Sequence, residues 1–220
     1  MTKHSLLQTK NSFWSEKRYL LIKRLFDCLV ALLCLISFSP LFCFIALLLK
    51  LSDGRNPVFF KQQRIGLGGN QFTIYKFRTL VFDAEQRLLE NPVLYEKYVA
   101  NDFKLAPEDD PRMTKLGSFL RKTSLDELPQ LWNILKGDMS FVGPRPVIEE
   151  ELVHYKAQKM EFLSVKPGVT GYWQVNGRSE ISYPERAQLE LYYVHHRSFA
   201  LDFIILWKTV PVVFFRKGAY

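Results

Sequence analysis

From Cys28 to Leu49 the chain runs 22 residues without a charge, CLVALLCLISFSPLFCFIALLL. A straight helix of that length would be about 33 Å long, enough to cross a bilayer core of about 30 Å. Two features point instead to a hairpin. Ser37, Ser39 and Pro40 fall in the middle of the run, where proline removes a helical hydrogen bond and clashes with the preceding turn. Lys17, Arg18, Lys23 and Arg24 precede it, and Lys50, Arg55 and Lys61 follow it, whereas a spanning helix shows an asymmetry in such charges. A helix that enters one leaflet, breaks at Ser39-Pro40 and leaves by the same leaflet puts both basic flanks in the cytoplasm. A single kinked span competes, because proline is tolerated in membrane helices. It predicts Met1 and Tyr220 on opposite sides of the membrane. A buried core helix is a third reading. A signal peptide does not fit the long basic leader, and no A-x-A-like site follows.

The charge distribution agrees with a membrane surface. The net charge is +8, but residues 1–24 carry six basic side chains against Glu16, and Arg216 and Lys217 sit near the C-terminus. The long middle of the chain is almost neutral. Basic ends beside an apolar run suit an anionic lipid surface. A nucleic-acid footprint would need a basic patch on a folded face, so no nucleic-acid partner is expected. With 48% hydrophobic and 15% aromatic residues in 220, the chain can bury a core, which excludes wholesale disorder. Cys28, Cys34 and Cys43 all lie inside the apolar run and read as small hydrophobes, not as a disulfide or zinc set.

Beyond the run, Asn56–Gln62 and Phe72–Thr79 flank a Gly-rich segment at 66–70 and predict a β-hairpin. Those glycines do not spell a dinucleotide-binding loop. Ala84–Ala100 reads as a polar helix broken near Asn91-Pro92. Leu128, Leu131, Trp132 and Leu135 recur at helical spacing up to Gly137. Ser182, Pro184 and Glu185 form a capping-box start to a helix through about His196. The tail Leu201–Phe215 suits either a membrane interface or a core element.

The densest chemistry is Arg121-Lys122-Thr123-Ser124-Leu125-Asp126-Glu127. Ser124 and Glu127 have capping-box spacing, and acids in a first helical turn are favoured by the helix dipole. The same arrangement is an anion site beside two cations. A carboxylate there can attack phosphorus and form an acyl phosphate, and its neighbour can bind a divalent cation or handle a proton. Arg145, held between Pro144 and Pro146, suits a bidentate grip on phosphate. Lys166–Gly171 and Gln174–Arg178 form a Gly/Asn-rich loop pair able to contact a base or sugar.

These segments resemble the bacterial sugar transferases, the monotopic polyprenyl-phosphate phosphoglycosyl transferases. The resemblance covers Lys23 to Tyr220 and is carried by KRLFDCLVALL, the Ser39-Pro40 break, QQRIG, YKFRTL, DDPRMTKLGSFLRKTSLDELPQLWNILKGDMSFVGPRP, VKPGVTGYWQVNGR and YYVHHRSFALDF. Departures are small: Leu80 replaces a usual methionine, and Tyr172-Trp173 occupies a variable pair. The resemblance implies a re-entrant membrane helix, a catalytic face in the cytoplasm at the inner membrane, and ping-pong chemistry. By motif position Asp126 would be the nucleophile, Glu127 its partner, and both would lie at Mg²⁺. Lys76, Arg121 and Arg145 would handle phosphate, and Asp202 would be the C-terminal acid of the site. Lys166, Gln174, Asn176 and Arg178 would border the nucleotide-sugar.

The expected fold is α+β, a mainly helical membrane-associated single domain with a re-entrant helix-break-helix, a small β-hairpin and interfacial amphipathic helices. Its parts would be a basic leader at 1–22, the broken helix at 23–50 and a cytoplasmic catalytic region at 51–220. Implied partners are a UDP-sugar, undecaprenyl phosphate and the membrane, with a homo-oligomer open. The run SYPERAQLELYYV and the ending GAY look closest to galactose- and glucose-1-phosphate transferases, with N-acetylated sugars open.

Overall fold

The computed structural model describes residues 3–52, 56–101, 105, 109–177 and 181–214. Helix α1 (Lys3–Ser37) runs unbroken through residue 22 and so takes in residues expected as the basic leader. Helix α2 (Ser39–Ser52) follows at once. Among the described residues no single helix is long and apolar enough to cross a membrane; Glu16–Ser37 and α2 meet that test together, bent by 60° at the break. Ser39 and Pro40 begin α2, and the Ser39 hydroxyl donates to Ile36 O at 2.8 Å. The side chain thereby satisfies a carbonyl left over where α1 stops.

Each helix of this pair has an outer apolar face and an inner face against the rest of the protein. On α1, Leu21, Leu25, Leu29, Leu32, Leu33 and Ile36 are exposed, at helical spacing. The opposite face of α1 is polar between Tyr19 and Asp27 and docks through specific bonds. Lys23 Nζ lies 2.7 Å from Asp202 Oδ2, and the Tyr19 hydroxyl donates to the same oxygen at 2.9 Å. Arg24 donates to Ile134 O and, at 2.7 Å, to Leu135 O. The buried Asp27 accepts from the Phe141 N–H at 3.2 Å.

The hairpin is present, its first strand about three residues later than expected and its second ending two earlier: β1 (Phe59–Ile65) and β2 (Gln71–Phe77) pair antiparallel, with Phe60 opposite Lys76. The polar helix at 84–100 is broken as the sequence indicates, into α3 (Ala84–Leu89) and α4 (Pro92–Ala100). Asn91 caps α4, its side chain accepting from the Leu94 N–H at 3.1 Å. Helix α5 (Lys115–Lys122) is capped by Thr114, which also donates to Thr79 O at 3.0 Å. A short 3₁₀ turn, Leu125–Glu127, then leads into α6 (Gln130–Lys136). Helix α6 stops at Gly137, whose φ of 93° suits a residue without Cβ.

Strands β3 (Ser140–Val142) and β4 (Gly168–Thr170) form a two-stranded parallel sheet. Between them lie a 3₁₀ segment, Glu150–Gln158, and the one-turn α7 (Lys159–Phe162). After β4 come α8 (Tyr172–Asn176), α9 (Glu185–His196) and α10 (Phe199–Phe214). The capping box expected at the start of α9 does not form: Pro184 occupies the cap position without a side-chain bond, and Ser182 contributes its backbone carbonyl to the Arg186 N–H instead. The apolar tail is a helix. Phe199, Phe203, Ile204, Trp207 and Val210 are exposed on one side, while Ile205 and Asp202 are buried on the other.

Helix α5 lies directly on the chain leaving β2. A Cβ added at Gly117 would stand 1.9 Å from Thr79 O. Gly→Ala inside a helix ordinarily stabilises by about 0.5–1 kcal/mol. Here the expected sign is reversed: Gly117→Ala should cost about 1–3 kcal/mol, the usual scale of overpacking. The unfolding midpoint of the detergent-solubilised variant checks this, and an unchanged or raised midpoint would contradict the packing described.

Candidate active site

One apolar cluster sits beneath the acidic turn. Ile45 and Leu49 of α2 pack with Phe77 of β2 and Leu120 of α5, and Leu125 and Leu128 pack against them. Each of these contacts is next in sequence to a predicted site residue: Phe77 to Lys76, Leu120 to Arg121, Leu125 to Asp126 and Leu128 to Glu127. Burying one such side chain is worth about 1.5–3 kcal/mol, so the cluster gathers four charged residues at one place while fixing each to the broken helix.

The local backbone is bent to serve this arrangement. Ser124 has φ 56° and ψ 16°, the left-handed region, and makes no capping bond through its side chain. The expected capping box is therefore absent. Holding a non-glycine residue there costs on the order of 1–3 kcal/mol and occurs mostly where function requires it. The kink turns the chain sharply after α5 and directs Asp126 inward, where it is buried. Glu127 turns to β2 instead of back to Ser124, placing Oε1 2.6 Å from Lys76 Nζ.

The electrostatics follow from that geometry. Asp126 is pushed up to about 6, first by burial; Lys76 pulls it down, Glu127 pushes it up and Arg121 pulls it down. A carboxylate with this environment is ionised above neutrality yet poorly solvated, which suits a nucleophile. Arg121 is itself lowered, chiefly by burial, with Asp126 opposing that shift and Arg145 adding to it. Lys76 and Arg121 thus act on Asp126 directly, and Arg145 acts on Arg121. Arg145 also has a buried Nε without a hydrogen-bond partner among the described residues.

The other predicted residues have contacts of their own. Lys166 is half-buried and lowered by burial and then by Arg24, and Asp27 and Asp138 oppose that shift, which places it by the docked face of α1. Among the described residues Gln174 Oε1 is buried without a hydrogen-bond partner, and Asn176 Nδ2 donates to Tyr172 O at 2.7 Å within α8. Arg178 lies outside the described residues. Asp202 is buried, with Tyr193 donating to Oδ1 at 2.7 Å and Lys23 and Tyr19 on Oδ2. Each of these contacts ties α10 to α1 or α9.

Several organising residues escape sequence reasoning. Arg112 and Asp110 form a buried bidentate pair at 2.7 and 2.8 Å. Arg186, Glu190 and Glu151 are almost completely buried together. The one signal for the latter was the i,i+4 spacing of Arg186 and Glu190, interleaved with Ala187, Leu191 and Val194. Among the described residues no three His, Cys, Asp or Glu side chains gather as a metal cluster. An adjacent acid pair fits the protein's share of a Mg²⁺ site, which takes one or two carboxylates together with substrate phosphates.

An acid pair with cations beside it, packed on an apolar helix pair, has the charges that phosphoryl transfer uses. The family model for bacterial sugar transferases matches residues 18–216, and the chain belongs to that family. It is a sugar-1-phosphate transferase. It is 46% identical over 202 residues to the exopolysaccharide production protein ExoY of Sinorhizobium fredii, covering 90% of this chain and 88% of that one. It is 41% identical over 218 residues to the undecaprenyl-phosphate galactose phosphotransferase of Salmonella typhimurium, covering 98% of this chain but 45% of that one. The UDP-glucose:undecaprenyl-phosphate glucose-1-phosphate transferase of Escherichia coli is 40% identical over 208 residues, with 91% and 42% covered.

The field around Asp126 sets its titration. Lys76→Met should move the Asp126 midpoint upward from about 6, and Glu127→Gln should move it downward. Carboxyl ¹³C shifts of aspartate-labelled protein across pH 4–8 read both. A midpoint insensitive to either change would contradict the arrangement.

Proposed function

We propose that this protein transfers a hexose-1-phosphate from a UDP-sugar to undecaprenyl phosphate at the cytoplasmic face of the inner membrane, releasing UMP and starting an O-antigen, capsule or exopolysaccharide chain. Galactose and glucose are the favoured sugars, in line with the relatives' names. The observation that carries the reading is Asp126, buried on a turn anchored to the cluster shared with α2, raised to about 6 by burial and opposed in that by the charges of Lys76 and Arg121.

In the first half-reaction an Asp126 oxygen attacks the phosphorus that bears the sugar. The bond from that phosphorus to the bridging oxygen breaks, and UMP leaves with the oxygen and its electron pair. The product is a phosphosugar held as an acyl phosphate. In the second, a phosphate oxygen of the lipid attacks the same phosphorus and the Asp126 carboxylate departs unchanged. Splitting the transfer lets a soluble donor and a membrane-bound acceptor use one site in turn.

Lys76, Arg121 and Arg145 oppose the charge that spreads over the phosphoryl oxygens. Mg²⁺, held by Asp126 and Glu127 with the diphosphate, would supply further charge neutralisation there. Lys166, Gln174, Asn176 and Arg178 are assigned to the donor's nucleoside or sugar.

The membrane seat is part of the proposal. The exposed faces of α1, α2 and α10 carry large apolar side chains, among them Leu25 at 63% and Trp207 at 73% exposure. A polyprenyl chain leaves the bilayer only at about 0.8 kcal/mol per CH₂, so the enzyme must meet the lipid phosphate at headgroup height. The bend at Ser39-Pro40 supports a hairpin confined to one leaflet.

UMP release with undecaprenyl phosphate and Mg²⁺ tests this, with UDP-galactose, UDP-glucose and UDP-N-acetylglucosamine as donors. We expect release with a hexose donor and a loss of at least about 10³-fold in Asp126→Asn, the scale for removing a covalent nucleophile. Full release by the folded Asp126→Asn protein would overturn the mechanism.

A further inference from the structure

We infer that Arg186, together with Glu151 and Glu190, forms a buried clamp that positions Arg145, an inference that rests on the phosphate-binding role proposed above for Arg145. The loop after β3 carries Arg145, and side chains hold it at successive backbone groups. The Arg145 N–H donates to Glu190 Oε1 at 3.3 Å, and the Ile148 N–H donates to Glu151 Oε2 at 3.0 Å. Pro146 O accepts from Arg64 Nη1 at 3.3 Å. Between these, Val147 O accepts from the Ile65 N–H at 2.9 Å, fastening the loop to the end of β1.

Both carboxylates converge on one guanidinium. Arg186 Nε lies 3.4 Å from Glu190 Oε1, and Arg186 Nη1 lies 3.2 Å from Glu151 Oε1. Arg186 has no exposed surface, and its plane is enclosed by the rings of Trp173 at 4.4 Å and Tyr183 at 4.6 Å. Tyr155 donates to Glu190 Oε2, and Tyr183 donates to Glu151 Oε1 at 3.3 Å. The remaining oxygen, Glu151 Oε2, also receives Arg64 Nη1 at 3.5 Å. Every carboxylate oxygen of the clamp is therefore engaged.

Stability alone does not account for such a group. A buried ion pair costs more in desolvation than it commonly returns, and apolar replacements are often neutral or better. What an apolar replacement cannot do is accept from the backbone N–H groups of a particular loop. Both carboxylates do that, on either side of Arg145 and Pro146. Arg145 keeps its buried Nε unpaired among the described residues. A guanidinium whose backbone is fixed at both flanks, on a side chain that is only half-buried, is mounted for an anionic ligand, and misplacement of such a group by a fraction of an ångström costs rate.

The clamp residues are positioning residues, so their effect must pass through Arg145. The test is a double-mutant cycle on donor-dependent UMP release, using Arg145→Ala, Glu190→Met and the two combined, with Arg186→Lys in place of Glu190→Met as a second cycle. We expect Glu190→Met and Arg186→Lys each to lower donor kcat/KM at least tenfold, mostly through KM. Combined with Arg145→Ala, neither should lower it more than twofold beyond Arg145→Ala alone. Should Glu190→Met fail to fold, the Arg186→Lys cycle carries the same comparison. Losses that multiply in the double variants, or single variants within twofold of wild type, would overturn the clamp while leaving the functional reading intact. Wild-type protein that releases no UMP from any donor would overturn that reading and the clamp with it.

Discussion

The acidic turn and the broken helix share one apolar cluster, and the rest of the structure is arranged around that sharing. Phe77, Leu120, Leu125 and Leu128 each lie next to a charged site residue and each pack against Ile45 or Leu49 of α2 or their neighbours. Alternation of a charged and an apolar residue at four places converts hydrophobic burial into a geometric constraint. The charges cannot move apart without exposing the cluster, and the cluster cannot form unless α2 folds back after the Ser39-Pro40 break. The cost of burying Asp126, visible in its raised pKa, and of holding Ser124 in the left-handed region is offset by this packing.

A second set of contacts fixes α1 to the same body. Lys23 and Tyr19 meet Asp202 of α10, Arg24 caps the carbonyl end of α6, and Asp27 holds the Phe141 N–H of β3. Removing one partner of a buried pair leaves the other uncompensated, which makes such ties strict about geometry even where they add little net stability. Helices α1 and α10 are thus joined through their polar sides, which leaves their apolar sides outward. The same body that carries Asp126 therefore carries the surface proposed to seat in lipid, and the height of the site above that surface is set by folding.

The sequence made the parts with strong local signals legible. The charge-free run broken by Ser39-Pro40 predicts the helix pair, the glycine-centred β-branched and aromatic runs predict the hairpin, and Asn91-Pro92 marks the break between α3 and α4. Where two local explanations fitted one pattern, tertiary contacts decided. Ser124 and Glu127 have capping spacing, but Lys76, 51 residues away in sequence, takes Glu127 and the cap is lost. Lys23 and Arg24 read as flanking charges for a lipid surface, and the fold engages them with Asp202 and with α6 carbonyls, contacts that no local pattern announces. Arg186 and Glu190 look like an exposed helical pair, because nothing local says that Glu151 and two aromatic rings will enclose them. The acid pair and its cations could be named from motif resemblance, while their common dependence on α2 became visible only with the fold.

The claim on which the account turns is that Asp126 carries the phosphosugar. Intact-protein mass spectrometry after incubation with UDP-galactose or UDP-glucose, with the lipid acceptor withheld, addresses it directly. The account predicts a mass increase equal to one hexose phosphate, mapping to the peptide containing Asp126 and disappearing when undecaprenyl phosphate is added. UMP release without any such adduct, or an adduct mapped to another residue, would contradict it.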